Sequence, residues 1–420
     1  GASTRAGARS AAWYARRVSL RRPALPASLA LAASLLALAA CGASDPPAPA
    51  VDAGVAATPD AALAPARRAV PGDSPYEKAG PHPVGHATFV VTDASRGRAL
   101  RLQVWYPAEA SAAPAAAAGT PLAELEPPGE ARDALAALVA KAGPCTRTRV
   151  GSASDAAPLA GAAWPVVVFS HCHGCMRTSV AQSMERLASH GIAAVAPDHA
   201  GDTLFDALKG ARANIDAATL AVRVGDVRSA LDAVLDGSNA AVPQALRGRF
   251  DAVKVGVMGH SFGAVTAGAT LAQDPRPRAA MAIAAPIDAL GGLKVAELKK
   301  PVLYLLARED NSITEIGNNL IRGDFDAMTT RSWLAEVADA GHWSFSDVCG
   351  LHPSFAAGCG VGRRQSDPDL ELNYLENDGA RALAASYAVA FFRAQLTDDA
   401  AAPPFLGGGH PAELVTARAK

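Results

Sequence analysis

One serine between two glycines constrains this chain more than any other short stretch. Residues 257–264 read VMGHSFGA, so an apolar run ends in Gly-x-Ser-x-Gly and small residues follow. This pattern is typical of a sharp strand-to-helix turn, where bulky residues two positions from the serine would clash. We therefore expect Ser261 at the carboxyl end of a sheet and the N-terminus of a helix. Free N–H groups there favour developing negative charge, so Ser261 is a candidate nucleophile. The alternative is a tight turn with an inert serine.

Apolar runs alternate with segments of helical period along the rest of the chain. Strands are predicted at 84–92, 99–106, 166–170, 192–197, 253–258, 281–285, 302–307 and 333–340. Helices are predicted at 122–141, 178–190, 215–235, 261–272 and 380–396. This alternation predicts an α/β fold with a doubly wound, mostly parallel sheet, preceded by an antiparallel hairpin. We expect one domain over 76–396 with an Ala/Pro-rich insertion at 108–163, followed by a C-terminal tail at 397–420.

A serine nucleophile needs a base, and the order Ser, acid, His is typical of this strand-to-helix turn. Three histidines follow Ser261 within reach: His342, His352 and His410. His342 lies in DAGHWSFSD, directly after a strand-like segment, which is the expected loop position. His352 lies in a short loop between two cysteines, and His410 lies in a Gly-rich tail. We therefore predict His342 as the base.

Two aspartates are candidates for the acid that orients His342. Asp310 follows the apolar strand at 302–307, and Asp288 follows the preceding strand. Either could reach the histidine, since the acid can follow either strand in this architecture. The sequence favours Asp310 and leaves Asp288 open, and each could instead be a helix N-cap or a turn carboxylate.

Two backbone N–H groups are needed to hold a developing oxyanion. One should belong to Phe262, directly after the serine, and the other to the loop that follows the strand at 166–170. That loop reads SHCHGCMRT. It also contains residue types that bind zinc: His171, Cys172, His173 and Cys175. A structural zinc site would need a second cluster, and none is evident, so no metal is predicted.

The first 71 residues look like an export signal and a tether. Paired arginines precede an apolar run at 24–40 that ends in LAACG, which resembles the lipobox of bacterial lipoproteins. On this basis residues 1–40 are a signal peptide, and Cys41 is lipidated and becomes the mature N-terminus. The segment 41–71 is mostly Ala, Pro and Asp, which is typical of a disordered linker. We therefore expect an exported bacterial lipoprotein, membrane-anchored in the periplasm or on the cell surface; the alternative is an ordinary secretory signal.

Export makes disulfides possible. Five cysteines remain beside Cys41, so at most two bridges form within the chain. Cys349 and Cys359 enclose a short Gly/Pro-containing loop and are the best candidate pair. A bridge from Cys145 to Cys172 or Cys175 stays open.

Three separate stretches resemble known hydrolases. VVFSHCHGCMRTSVAQSMERLASHGIAAVAPDHAGDT, then GHSFGA, then HWSFSD, resemble secreted platelet-activating-factor acetylhydrolases, bacterial predicted dienelactone hydrolases and, more distantly, polyester-cleaving cutinases. The resemblance covers about 84–392. It implies an α/β-hydrolase fold, no cofactor, and carboxylic-ester hydrolysis through a serine acyl-enzyme. By resemblance, the nucleophile is Ser261, the base is His342, and the oxyanion donors are the N–H groups of Phe262 and His173.

The chain departs from these relatives in ways that matter for its chemistry. The acetylhydrolases place the acid where Asp288 lies, whereas the other two groups place it at Asp310. Cys172 stands where the relatives have glycine. Dienelactone hydrolases use a cysteine nucleophile, so Ser261 argues against that reaction.

The expected function is therefore hydrolysis of short-acyl or phospholipid-like esters. One alternative is another enzyme that uses the same triad, which could be a lipase, a polyesterase, an acyltransferase or a peptidase. The other alternative is a non-catalytic surface binding protein. The net charge of −1 gives no reason to expect a nucleic-acid partner.

Overall fold

A ten-stranded sheet forms the centre of the fold in this computed structural model, which describes residues 65–67 and 72–420. The predicted signal peptide, Cys41 and nearly all of the 41–71 linker lie outside the described residues. Within the described part of the chain, no helix is both long and apolar enough to span a membrane.

The strands and helices follow the chain in the order expected for an α/β fold. The sheet strands are β1 (Val84–Asp93), β2 (Arg98–Pro107), β3 (Ala153–Ser154), β4 (Trp164–Ser170), β5 (Ala193–Pro197), β6 (Phe250–His260), β7 (Pro277–Ile283), β8 (Val302–Ala307), β9 (Ser332–Val337) and β10 (Val415–Ala419). The helices are α1 (Ala113–Ala118), α2 (Glu130–Val139), α3 (Ala181–Ser189), α4 (Leu204–Leu208), α5 (Ala217–Leu235), α6 (Phe262–Gln273), α7 (Thr314–Ala327), α8 (Asn377–Leu396) and α9 (Ala402–Gly408).

The predicted fold class is confirmed by the strand order, which is β10-β9-β8-β7-β6-β4-β5-β2-β1-β3. The six strands from β9 to β5 in this order are parallel to one another. The β1–β2 hairpin pairs antiparallel with β5 at one side, and β10 pairs antiparallel with β9 at the other. The result is a doubly wound sheet with an antiparallel N-terminal hairpin.

Successive residues of the central strands pack on opposite faces of the sheet. Val167 and Phe169 of β4 join a core that includes α3 and α8. Val166 and Val168 join a second core that includes α5, α6 and α7. Both faces are covered, so the strands read as continuous apolar runs in the sequence.

One predicted helix and one predicted tail differ from the structure. The single helix expected at 122–141 is instead a 3-10 turn at Leu122–Leu125 followed by α2. Pro127 and Pro128 separate the two, because proline in a helix interior removes a hydrogen bond and clashes with the preceding turn. The segment expected as a tail from 397 contributes α9 and the edge strand β10, so the fold extends beyond the predicted end of the domain.

One buried arginine joins the 108–163 insertion to the end of a central strand. Arg177 has no exposed surface. Its Nη1 lies 2.5 Å from Glu126 Oε1 and 2.6 Å from Asp198 Oδ2, and its Nη2 donates to the carbonyl of Leu125. A charge this deeply buried is tolerated only when opposite charges lie against it, as Glu126 and Asp198 do here. The ion pairs therefore fix the insertion against the carboxyl end of β5, which Asp198 follows.

The predicted Cys349–Cys359 disulfide is wrong. The structure has disulfides Cys145–Cys359 and Cys172–Cys175, and Cys349 is free. Cys349 is fully buried in the core, and its burial raises the pKa of the thiol to about 12. Cys359 is half-buried in the loop that follows His342, and there it lies against Cys145 of the insertion. The bridge therefore ties the insertion to the loop after His342, rather than closing that loop on itself.

We predict that non-reducing peptide mapping will find Cys145 joined to Cys359. Replacing Cys145 by Ser should lower the free energy of unfolding by about 2–5 kcal/mol, because the closed loop is long. Cys349→Ala is the matched control, since it removes a cysteine and keeps both bridges. A Cys349–Cys359 peptide in the wild-type digest would contradict the structure.

Candidate active site

The sheet reverses its direction of growth next to β4. The chain runs from β4 to β5 on one side and returns to β6 on the other. In such sheets a crevice forms outside the carboxyl ends of the two strands that flank the reversal. Here those ends are Ser170 of β4 and His260 of β6. The loop with the predicted oxyanion donor and the predicted nucleophile therefore meet at one point.

Ser261 lies on a strained turn between β6 and α6. Its backbone has φ 56° and ψ −123°, and its N–H donates to the carbonyl of Ile283 at 2.8 Å. A Cβ atom on Gly259 would lie 1.9 Å from the carbonyl oxygen of Gly263. A Cβ atom on Gly263 would lie 1.9 Å from the carbonyl oxygen of Ser170. Both glycines are therefore required by contact with backbone, as the Gly-x-Ser-x-Gly spacing predicts.

His342 and Asp310 are in direct contact. Nδ1 of His342 lies 2.7 Å from Oδ2 of Asp310, and both side chains are almost fully buried. This pairing leaves Nε2 as the nitrogen available to a nucleophile. The other candidate acid, Asp288, accepts a hydrogen bond from the N–H of Leu293 at 2.8 Å instead. The geometry therefore favours Asp310 as the acid.

Two rings fix the plane of the His342 imidazole. His260 lies at a centroid distance of 5.1 Å, and Trp343 packs edge-on at 4.9 Å. Nε2 of His260 contacts the carbonyl oxygen of His342 at 2.9 Å. Burial, with a smaller effect from His342, lowers the pKa of His260 to about 3. His260 therefore stays neutral at physiological pH and does not compete for the proton that His342 would carry.

The loop after β4 is closed by a disulfide. Cys172 and Cys175 enclose His173 and Gly174 in a tight turn, with the N–H of Cys175 donating to the carbonyl of Cys172. The N–H of His173 has no partner among residues 72–420. Phe262 is the first residue of α6, so its N–H has no partner within the helix. Two free N–H groups at this edge of the sheet fit the predicted oxyanion site.

The residues of this loop that could bind zinc make other contacts. The two thiols are bonded to each other. Nε2 of His171 accepts from the N–H of His199 at 3.0 Å. Its Nδ1 contacts the carbonyl oxygen of Cys172 at 2.7 Å, so neither nitrogen faces a common centre with His173.

Sequence reasoning missed a buried ion pair that joins both halves of the predicted oxyanion site. Oδ1 of Asp202 lies 2.6 Å from Nδ1 of His173 and accepts from the N–H of Gly174 at 3.0 Å. The other carboxylate oxygen of Asp202 pairs with Arg223. The guanidinium of Arg223 also lies 4.7 Å from the ring centre of Phe262. Arg223 therefore touches the residue that carries one donor and, through Asp202, the loop that carries the other.

This ion pair is charged at physiological pH. Burial raises the pKa of Asp202, but contact with His173 and the charge of Arg223 more than offset this and lower it to about 2. Burial lowers the pKa of Arg223 to about 10, against the opposing effect of Asp202. A charged aspartate and a charged arginine without exposed surface must stay together, so the geometry that they impose is rigid.

A second Ser-His-Asp set lies behind the first. Ser170 Oγ lies 2.9 Å from Nε2 of His199, whose Nδ1 lies 3.2 Å from Oδ2 of Asp226. These contacts resemble a catalytic triad, but Ser170 and Asp226 have no exposed surface and His199 has 1%. The Ser170 hydroxyl also accepts from Arg223 at 3.2 Å. No ester could reach it, whereas Ser261 is partly exposed on its strained turn. We therefore assign the buried set a structural role.

His352 and His410, the other two candidate bases, lie away from the pair formed by His342 and Asp310. The ring of His352 contacts the hydroxyl of Ser354 at 2.7 Å, through Nδ1. Nδ1 of His410 lies 3.6 Å from Glu77, near the C-terminal strand. Neither contacts Asp310.

Comparison with known proteins places this site in a hydrolase context. The model of the dienelactone hydrolase family matches residues 154–347, and that of platelet-activating factor acetylhydrolase, isoform II, matches residues 73–205. The solved ferulic acid esterase from Streptomyces cinnamoneus is similar in structure, with a TM-score of 0.59 and 22% identity. That match covers 83% of this chain and 98% of the esterase. No curated protein matches the chain.

The two family matches confirm the resemblance to dienelactone hydrolases and platelet-activating-factor acetylhydrolases that the sequence shows. The structural likeness supports the α/β-hydrolase fold, and the family matches indicate a carboxylic ester hydrolase.

We predict that Gly263→Ala will destabilise the protein by about 1–3 kcal/mol or more, because the added methyl group meets the carbonyl of Ser170. Gly323→Ala in α7 is the matched control. A Cβ atom at Gly323 meets nothing within 4 Å, and alanine is preferred over glycine by about 0.5–1 kcal/mol in a helix. Chemical denaturation of both variants measures the difference. Equal stability changes would show that the turn tolerates a side chain.

Proposed function

We propose that the chain hydrolyses carboxylic esters with Ser261 as nucleophile, His342 as base and Asp310 as the orienting acid. The proposal rests mainly on one observation. The 2.7 Å contact between His342 and Asp310 lies at the sheet edge where Ser261 occupies its strained turn. His342 also contacts His260, the residue before Ser261. A base that is held by a buried carboxylate beside the turn of a partly exposed serine is the arrangement that activates a serine.

The proposed reaction proceeds through an acyl-enzyme. His342 takes the proton of Ser261 as the serine oxygen attacks the ester carbonyl. The N–H groups of Phe262 and His173 hold the oxyanion, and His342 then gives its proton to the leaving alcohol. Water repeats these steps and releases the acid. Each preorganised donor to an oxyanion is worth about 3–4 kcal/mol of barrier.

Short-acyl or phospholipid-like esters are the substrate class that we favour. Around the loop that holds His173, the described residues line a cavity of about 510 Å³, a size suited to a small ligand. One matching family is described as platelet-activating factor acetylhydrolase, and the similar solved structure is a ferulic acid esterase. A lipase or polyesterase would instead prefer long chains, and an acyltransferase would release less free acid when an alcohol is supplied.

The alternative to an enzyme is a non-catalytic surface binding protein. Such a protein would bind esters without turnover. It would have no need for a serine on a strained turn or for a histidine held by a buried aspartate, so the geometry favours the enzyme.

We predict that Ser261→Ala will lower the hydrolysis of 4-nitrophenyl esters on the order of 10³-fold or more. Ser170→Ala is the matched control, since it removes the serine of the buried Ser-His-Asp set. Its activity should stay within about tenfold of wild type. The measurement is kcat/KM over 4-nitrophenyl acetate to palmitate, with circular dichroism to check folding.

A fluorophosphonate probe supplies the decisive readout. Labelling should map to the peptide that contains Ser261 and persist in the Ser170→Ala variant. Labelling that survives Ser261→Ala and disappears in Ser170→Ala would overturn the assignment. Labelling of neither serine, with no turnover of any ester, would favour the binding protein.

We also propose that the protein is exported and anchored to a membrane through a lipid on Cys41. The lipobox-like sequence supports this proposal, as do two disulfides within residues 72–420, which are typical of an oxidising compartment.

For the anchor, we predict that protein made in a bacterial host will incorporate an alkynyl fatty acid and enter the detergent phase of Triton X-114. Cys41→Ser should abolish both properties, because it removes the thiol to which the lipid is attached. Cys349→Ala is the matched control and should retain them. Fatty-acid label on the Cys41→Ser protein would exclude this site.

A further inference from the structure

The Cys172–Cys175 disulfide closes a loop that is too short to contribute much to the stability of the whole fold. Its cysteines are 3 residues apart, whereas Cys145 and Cys359 are 214 residues apart. A disulfide stabilises a protein mainly by restricting the unfolded chain, and this effect grows with the length of the closed loop. Both cysteines of the short bridge are buried at the edge of the sheet that carries Ser261. A local role therefore accounts for this bridge better than a global one.

Each end of the short bridge is fixed to a different part of the fold. On one side, the carbonyl oxygen of His171, the residue before Cys172, accepts a hydrogen bond from Arg223. On the other side, the carbonyl oxygen of Cys175 accepts from the N–H of Leu204 in α4 at 2.6 Å. The disulfide therefore joins two fixed points across the tight turn that lies between the two cysteines.

The predicted oxyanion donor of this loop shares a peptide plane with Cys172. The N–H of His173 and the carbonyl of Cys172 belong to one planar peptide group, so they turn together. That carbonyl accepts from the N–H of Cys175 at 3.2 Å, across the same turn that the disulfide closes. Gly174, inside the turn, has φ 64°, and glycine has more backbone freedom than any other residue. Without the S–S bond, rotation at this glycine would let the donor turn away from the site.

We propose that the Cys172–Cys175 disulfide positions the N–H of His173 for the oxyanion, and that full catalytic rate requires this bond. This inference rests on the proposed function, because it concerns the oxyanion site of the same reaction. The two cysteines are positioning residues, since they act through the backbone of His173 and not on the ester.

The test compares an ester with its thionoester analogue, in which sulfur replaces the carbonyl oxygen, using the full-length protein. 4-Nitrophenyl acetate develops negative charge on oxygen, whereas the thionoester develops it on sulfur, which accepts hydrogen bonds weakly. Cys172→Ala with Cys175→Ala should lower kcat/KM for the ester about ten- to hundredfold, less than the loss of a whole donor. For the thionoester, kcat/KM should stay within about threefold, because that substrate gains little from the donors.

The loss should belong to the bond and not to either side chain. Cys172→Ala and Cys175→Ala alone should each lower the preference for the ester as much as the pair does, because either one removes the bond. Cys172→Ser with Cys175→Ser is the second pair, which keeps two side chains of similar size, and it should give the same result. Circular dichroism checks the folding of each variant.

Cys145→Ala with Cys359→Ala is the matched control. It removes the bridge that closes the long loop, so it should lower the Tm more than loss of the short bridge does. Its preference for the ester over the thionoester should stay within about threefold of wild type, since this bridge lies outside the oxyanion loop.

The possible failures are distinguishable. Serine-dependent hydrolysis with an unchanged preference for the ester would overturn the role of the disulfide and leave the esterase intact. An equal loss for ester and thionoester would show general damage to the site, and unfolding of both short-bridge pairs would show a global role; each result would overturn the inference. Absence of turnover in the wild type, with no labelling of Ser261, would overturn the proposed function and this inference together.

Discussion

The contact between Gly263 and the carbonyl of Ser170 is the constraint on which the site depends. It brings the first turn of α6 against the end of β4 with no room for a side chain. Because of this approach, the serine after β6 and the loop after β4 share one edge of the sheet. The strained backbone of Ser261 follows from the same crossing, and it is compensated by the hydrogen bonds of a fully paired parallel sheet.

The buried charges behind this edge of the sheet hold the two loops in place and take no part in the proposed reaction. Arg223 pairs with Asp202, lies over Phe262 and donates to the Ser170 hydroxyl, so it links the two loops from below. Removing either charge would leave the other buried without a partner, which is more costly than losing the contact itself. The same reasoning separates the two Ser-His-Asp sets. Each set holds a histidine against an aspartate, but only the set with a strained, partly exposed serine can meet a substrate.

The sequence predicted the parts of this protein that depend on local pattern. The strands follow apolar runs because both faces of the sheet are covered, and the turn at Ser261 follows from steric need for Gly259 and Gly263. His342 was predictable from chain order. The sequence favoured Asp310 as the acid but did not exclude Asp288, because both follow strands that end at the same edge. The Cys145–Cys359 bridge joins residues 214 apart, and Arg223 is one of several charged residues in its helix, so neither leaves a local signal.

The edge strand β10 has a consequence for the order of folding. During synthesis, β9 emerges from the ribosome well before the residues that cover its outer edge, with the loop of His342, α8 and α9 in between. Until β10 arrives, β9 presents a row of unpaired N–H and C=O groups to any other extended chain. Completion of the sheet is therefore a late event. The nascent protein passes through an interval in which this side is open to mispairing, and chaperones or translocation of an unfolded chain would protect it.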